Sequence, residues 1–321
     1  MSQGVPGTPP NLSLQNALQT ASATRQSFGY CPAQGEVPLR SALVEEMKEI
    51  YGRDADLAAE DIALTVGCNM AFVASIMSIA DAGDEVILPR PCRETHAPPK
   101  TGAIYPPSLI ASFASLAAEN NIALILDETY RDFLIPRTPP HLLFTSPTWR
   151  SNLIHLYSFS KSYRIPGHRL GCIVASPTLI TQIIKILDTL QICPPRIPQI
   201  ALAQSGLLQE LRADIHGTAE QVAKRHQLFR EHLSKRWEIA SQGGYYAFVR
   251  HPFTGVGSAE VCERLAKEMG VVVLPGAFFG GADSNDDRWV RFSVANVDDE
   301  KVKRVCERLV ESEQGFGWEL S

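Results

Sequence analysis

The chain has 321 residues, 45% hydrophobic and 20% charged, enough to bury one large core or two moderate ones. A net charge of -5 argues against nucleic acid or an anionic membrane surface as the main partner, and neither a basic-apolar leader nor a run of about 18 apolar residues is present. The seven cysteines, Cys31, Cys68, Cys92, Cys172, Cys193, Cys262 and Cys306, are scattered with no C-x-x-C spacing, which predicts free thiols, no metal centre and a cytoplasmic protein.

Residues Gly4 to Pro10 are rich in glycine and proline and read as an extended arm or loop. Leu12 to Ala23 is helix-compatible, and after the F-G-Y-C-P-A-Q-G-E-V-P-L-R stretch a second helix runs from Arg40 to Gly52, with Leu43, Met47 and Ile50 at helical intervals. Ile62 to Val66 predicts a strand, followed at once by G-C-N-M-A and a helix through Ala80. The first turn of such a helix offers unpaired N–H groups and the positive end of its dipole, so Gly67, Cys68 and Asn69 form a phosphate site. Gly83 to Pro89 predicts the next turn and strand, whereas Pro89 to Gly102 holds four prolines and cannot be a core strand.

Pro107 to Asn121 predicts a helix, and Ile122 to Tyr130 a buried parallel-type strand that ends in Asp127. Open α/β sheets bind ligands beyond the carboxyl ends of their strands, which is where that carboxylate falls. Further strands are expected at Leu153 to Ser158 and Gly171 to Ala175, with helices at Leu179 to Leu190, Ala201 to Leu211 and Ile215 to Leu233. The C-terminal part alternates the strand-like G-G-Y-Y-A-F-V, V-V-V-L-P-G and W-V-R-F-S-V-A with helices at Ser258 to Met269 and Asp298 to Glu311.

Chemistry concentrates in Y-S-F-S-K-S-Y-R-I-P-G-H-R-L-G, Tyr157 to Gly171. A lone lysine, Lys161, stands there among Ser158, Ser160 and Arg169, and neighbouring cations lower a lysine pKa toward the neutral, nucleophilic amine. The spacing S-x-S-K-x-x-x-x-x-G-x-R-x-G resembles the pyridoxal-phosphate lysine motif of the class I/II (fold-type I) aminotransferases. Asp127 and Tyr130 stand as D-x-x-Y 34 residues before Lys161, and Arg291 lies in R-F-S-V-A, both where that family has partner residues.

The resemblance implies an α/β fold in which residues 15–222 form a large domain with a mostly parallel sheet flanked by helices, and 1–14 with 223–321 a smaller α+β domain. It implies pyridoxal 5'-phosphate as cofactor and an amino group moved between an amino acid and a 2-oxo acid. Lys161 is then the Schiff-base lysine and general base and acid, Asp127 the partner of the pyridine nitrogen, and Tyr130 the phenol that meets the cofactor O3′. Gly67, Cys68, Asn69, Ser158, Ser160 and Arg169 hold the phosphate. Tyr30 reaches the phosphate of a neighbouring subunit in a homodimer. Arg291 grips the substrate carboxylate, and the loop at Gly4 covers the substrate. A lyase on the same scaffold would use the same residues, and a degenerate homologue with a binding role is the alternative from another class.

One part of the family pattern is missing. The family has here an aromatic residue that stacks on the pyridine ring, then about fifty residues of helix and strand, then an N-P-T-G turn whose asparagine contacts the phenolic oxygen; P-R-P-C-R-E-T-H resembles the beginning of that segment and P-P-K-T-G-A-I-Y-P-P its end, so its middle is missing between His96 and Ala97. Here Arg93 stands where the aromatic belongs, and Pro99 or Lys100 where the asparagine belongs. A sheet that loses a strand there exposes apolar side chains, so weaker cofactor retention and partial aggregation are expected.

Overall fold

The computed structural model describes residues 1–88, 102–279 and 287–321. Helix α1, Leu12–Ser22, opens at Asn11, whose side chain accepts from the Ser13 amide, and α2, Val37–Tyr51, has proline in its first turn. Strand β1, Ile62–Val66, leads directly into α3, Gly67–Ile79. Helix α4, Pro107–Glu119, precedes β2, Leu124–Asp127, and β3, Leu153–Ser158, runs into the single turn α5, Phe159–Ser162. Then come β4, Leu170–Val174, α6, Pro177–Gln191, and α7, Arg196–Leu202. Helix α8, Leu207–His232, is followed by β5, Glu238–Gly243, β6, Tyr246–Arg250, α9, Ser258–Met269, β7, Leu274–Pro275, β8, Trp289–Ser293, and α10, Asp299–Gly315.

The first sheet has the order β1-β4-β3-β2, in which β2 is parallel to β3 and β4 is antiparallel to both of its neighbours. Three of the four strands therefore run the same way, and β1, β2 and β3 end on one edge. Strand alternation gives the sheet two apolar faces. Ile62, Leu64, Tyr157, Leu170 and Cys172 pack against Leu39, Leu43 and Met47 of α2, whereas Ala63, Ile154, Leu156 and Ile173 meet Ala71 and Ala74 of α3 and Ile180 and Ile183 of α6. The second sheet, β5-β6-β8-β7, is antiparallel throughout. Ala247, Val249, Val290 and Phe292 on it are covered by α9 and α10. Helix α8 spans 26 residues, about 39 Å. Leu211 and Ile215 lie in the first core and Phe229 in the second, so this helix joins the two.

Three expectations are corrected. The turn at Gly83 forms, with the Asp84 amide bonded to the Asp81 carbonyl, but residues 84–88 belong to no strand, and Val86, Ile87 and Leu88 are exposed. Among the described residues this apolar run has no paired neighbour, and an unpaired segment cannot satisfy its backbone groups as a strand. Strand β2 is shorter than Ile122 to Tyr130 and half-exposed rather than buried, because among the described residues it pairs with β3 alone. The helix expected from Ala201 to Leu211 is broken between α7 and α8 at Gly206, whose φ of 78° is a left-handed conformation that glycine adopts without strain. Arg93, His96, Ala97, Pro99, Lys100 and Cys92 lie outside the described residues.

Candidate active site

The three like-directed strands deliver Gly67 after β1, Asp127 at the end of β2 and Ser158 at the end of β3 to the same sheet edge, where Arg169 enters β4. Ser158 pairs with Gly171 and Thr65 with the same glycine, so the serine lies one strand away from the N-terminus of α3. Among the described residues no side chain caps that helix. Its first-turn N–H groups are open to an anion. Two glycines make the approach possible: a Cβ on Gly67 would stand 2.3 Å from Arg169 Nη2, and one on Gly171 would stand 2.7 Å from the Cys68 amide nitrogen. The Arg169 guanidinium thus faces the start of α3, held by a 3.0 Å bond to the Pro166 carbonyl. Ser158 Oγ accepts from the Ser160 amide, and both serines are buried. Asn69 is exposed at the same turn. Helix N–H groups, two hydroxyls and a guanidinium form a donor set suited to a phosphate dianion.

Asp127 Oδ1 accepts from the Thr129 amide at 3.0 Å and from its hydroxyl at 2.6 Å. Burial pushes the Asp127 carboxyl above its ordinary value in spite of those bonds, and a cation opposite it would reverse the shift. The Cys68 thiol faces Asp127 and Thr129, and burial, followed by the Asp127 charge, pushes it up. What Cys68 can offer an anion is therefore its backbone amide and not its buried sulfur.

Lys161 sits in α5, and its Nζ donates to the Gly4 carbonyl at 2.6 Å. The turn that carries it is pinned by a buried ionic network that sequence reasoning missed. Asp132 accepts from the hydroxyls of Ser162 at 2.6 Å and Tyr157 at 2.9 Å, and from Arg212 at 2.8 Å. Glu46 on α2 accepts from the Tyr163 hydroxyl at 2.6 Å. Burial opposes the Asp132 charge, but Arg131 and Arg212 outweigh it and hold the carboxyl below its usual range. Beside this, Glu128 meets His141 at 3.3 Å, His155 at 3.2 Å and the Tyr51 hydroxyl. Burial likewise opposes its charge, yet these partners bring its pKa down to about 2. Both rings are pushed down by burial and are neutral at neutral pH, where His155 Nε2 is hydrogen-bonded to an ionised Glu128 and His141 lies beside it.

The remaining residues form the opposite wall. Arg291 on β8 is 5% exposed, with its guanidinium between the rings of Tyr246 at 4.3 Å and Phe279 at 4.6 Å. Its Nη2 donates to the Ser2 carbonyl at 2.9 Å, while Nε is buried with no hydrogen-bond partner among the described residues. Burial lowers its pKa, though a guanidinium stays charged at any neutral pH. The Tyr130 hydroxyl lies 2.9 Å from that of Tyr246. Burial, then Tyr246, pushes the Tyr130 phenol well above 10, so it stays protonated. The N-terminal segment closes the space between these groups. A Cβ on Gly4 would fall 1.8 Å from the Tyr246 hydroxyl, and the Ser293 amide donates to the Met1 carbonyl at 2.7 Å.

Gly4, Tyr130 and Arg291 therefore each meet Tyr246, Gly4 also holds Lys161, and Asp127 and Tyr130 line one cavity together with Tyr246. Tyr30 is not brought to them: its side chain is 79% exposed and its carbonyl accepts from Arg196. A composition-based signal for Tyr246 existed only in G-G-Y-Y, which marks a strand and not a site.

The sheet edge thus gathers a donor set suited to an anion, Lys161 and the Asp127–Tyr130 pair, with the buried Arg291 on the opposite wall. The family model described as Aminotransferase class I and II matches residues 96–309, and the chain belongs to that family. It is 24% identical, over 87% of its length and 82% of the relative's, to aromatic-amino-acid aminotransferase 2 of Thermococcus litoralis. It is 28% identical, over 88% and 82%, to the (5-formylfuran-3-yl)methyl phosphate transaminase of Methanocaldococcus jannaschii. The first of these alignments runs to 326 positions, more than the whole chain, so that relative carries residues with no counterpart here. The fold superposes on an aromatic aminotransferase of Pyrococcus horikoshii with a TM-score of 0.87 at 21% identity, covering 98% of this chain and 95% of that one. Its activity is amino-group transfer.

Proposed function

We propose that this chain binds pyridoxal 5'-phosphate and moves an amino group between an amino acid and a 2-oxo acid, with Lys161 as the covalent anchor. The observation that carries the reading is the convergence of an uncapped helix N-terminus, two buried serines and Arg169 on one side of Lys161 with a buried arginine on the other. The cofactor family supplies an electron sink for the bond broken at the substrate Cα. The chain's part is to bind, orient and move a proton. Gly67, Cys68 and Asn69 offer backbone N–H groups to the phosphate, and Ser158, Ser160 and Arg169 complete its shell. Asp127 would pair, ionised, with the pyridine nitrogen and keep it protonated, and Tyr130 would donate to O3′. Arg291 takes the substrate carboxylate in place of the Ser2 carbonyl, and the Lys161 amine, once released, carries the proton away from Cα as general base and returns it as acid. The Ser2 and Gly4 carbonyls must yield when substrate enters, so the N-terminal segment moves in each cycle.

The division expected from the sequence supports this reading, with residues 15–222 carrying the cradle and 1–14 with 223–321 carrying Arg291 and the covering segment. In a homodimer the outward Tyr30 would reach a partner's cradle. Six free cysteines among the described residues suit a reducing, cytoplasmic setting. Borohydride reduction of the cofactor-loaded protein followed by peptide mass mapping tests the anchor. The label is expected on Lys161 and absent in Lys161→Ala, which folds as the parent does; label on another lysine ends the assignment.

A further inference from the structure

We infer that Tyr246 is a positioning residue that sets both the direction of the Tyr130 hydrogen bond and the aim of the Arg291 fork, an inference that rests on the site roles proposed above. Its placement is fixed from three sides. Its backbone pairs with Ser293 in the centre of the second sheet, its side chain is 5% exposed, and its carbonyl lies 2.3 Å from where a Cβ of Gly102 would be. A ring so held can hold others.

The two functions use different atoms. The phenol oxygens of Tyr246 and Tyr130 are 2.9 Å apart, and each carries one proton. If the Tyr130 proton is to point at the cofactor O3′, Tyr130 must accept from its neighbour. Tyr246 is then the donor, and its hydroxyl selects the productive rotor of Tyr130. The ring face does the second task. The Arg291 carbon sits 4.3 Å from its centroid, and Phe279 closes the other side at 4.6 Å. Stacking restricts the guanidinium to one plane, and a planar fork bound to a carboxylate loses affinity when its plane is free to turn. Gly4 completes the arrangement, because no side chain would fit between that residue and the Tyr246 hydroxyl while its carbonyl holds Lys161.

Two variants separate hydroxyl from ring. Tyr246→Phe keeps the face and removes the donor, whereas Tyr246→Leu removes both. The first readout is the pH titration of the visible absorption of the cofactor-loaded protein. Loss of one hydrogen bond in the chain to O3′ is expected to move the midpoint by roughly half a pH unit or more in both variants. The second is the dissociation constant of 3-phenylpropanoate, a carboxylate with no amino group to transfer, measured by calorimetry. It is expected to stay within about twofold of the parent in Tyr246→Phe and to weaken by roughly fivefold in Tyr246→Leu. A purely structural role would lower the unfolding temperature without moving the absorption midpoint. An unmoved midpoint in Tyr246→Phe overturns the hydroxyl role, even where Tyr246→Leu does not fold. Unchanged carboxylate binding in a folded Tyr246→Leu overturns the ring role. If borohydride labels a lysine other than Lys161 in the parent protein, the site reading itself has failed; label on Lys161 with an unmoved midpoint refutes Tyr246 alone.

Discussion

The proposed anion cradle and the proposed carboxylate wall of this site are built in different ways. The cradle comes from the ends of adjacent strands and the turns that directly follow them, so Gly67, Ser158, Ser160 and Arg169 owe their positions to one sheet. The wall comes from segments that meet only in three dimensions: Ser2 touches Arg291 from 289 residues away, and Tyr130 touches Tyr246 across 116. A site end made within one sheet is rigid as soon as that sheet forms. The other end meets backbone carbonyls of the N-terminal segment, which on the proposed reading the substrate displaces.

The largest effect that would sharpen this contrast is at Asp127. Asp127→Asn keeps the cradle and should retain cofactor, while turnover falls on the order of a hundredfold or more, since a neutral amide cannot hold the pyridine nitrogen protonated. Steady-state rates with retained visible absorption measure it, and a variant as fast as the parent removes Asp127 from the mechanism.

The wall should also be the half that acid loosens through His226. Its neutral ring donates from Nε2 to the Gly244 carbonyl at 2.9 Å, and Gly244 packs on Tyr130. Burial lowers the His226 pKa from 6.5 to about 4. The unfolded ring therefore binds a proton that the folded ring refuses. This contribution to stability is complete above pH 6.5 and is lost as pH falls toward 4, by about 3 kcal/mol over the window. Urea unfolding at a series of pH values should show a shallower slope for His226→Gln than for the parent. Equal slopes would place the acid sensitivity elsewhere, His141 and His155 included.

The smallest of these effects probes the cradle. Gly67→Ala puts a methyl group against Arg169 at a residue whose φ is 77°, a left-handed conformation that costs an alanine about 1–2 kcal/mol. Cofactor dissociation should speed up by roughly tenfold with a modest fall in unfolding temperature. Unchanged cofactor release would mean that the phosphate lies away from α3.

The same contrast explains what could be read from sequence. Lys161, Asp127, Gly67 and Arg169 are legible because strand, turn and motif lie within a few residues of one another, and their convergence follows from strand direction alone. Tyr246, Asp132 and Glu46 are not, since a tyrosine in a strand and acids in helical or turn segments look like packing and solvation until distant chain brings their partners. The run from Val86 to Leu88 misled for a related reason. Its composition favours a strand, but a strand is a property of two segments, and the described chain supplies no neighbour.

Among the described residues β2 is an edge strand, and Phe113 and Leu116 on α4 and the run Val86 to Leu88 are exposed. Exposed edges of this kind are templates for another chain. Loss of native protein through such an edge requires two molecules to meet, so its rate rises with the square of concentration. Dilution then preserves this enzyme better than any change that acts on a single molecule, and a charged side chain introduced at Ile87 would do by repulsion what dilution does by distance.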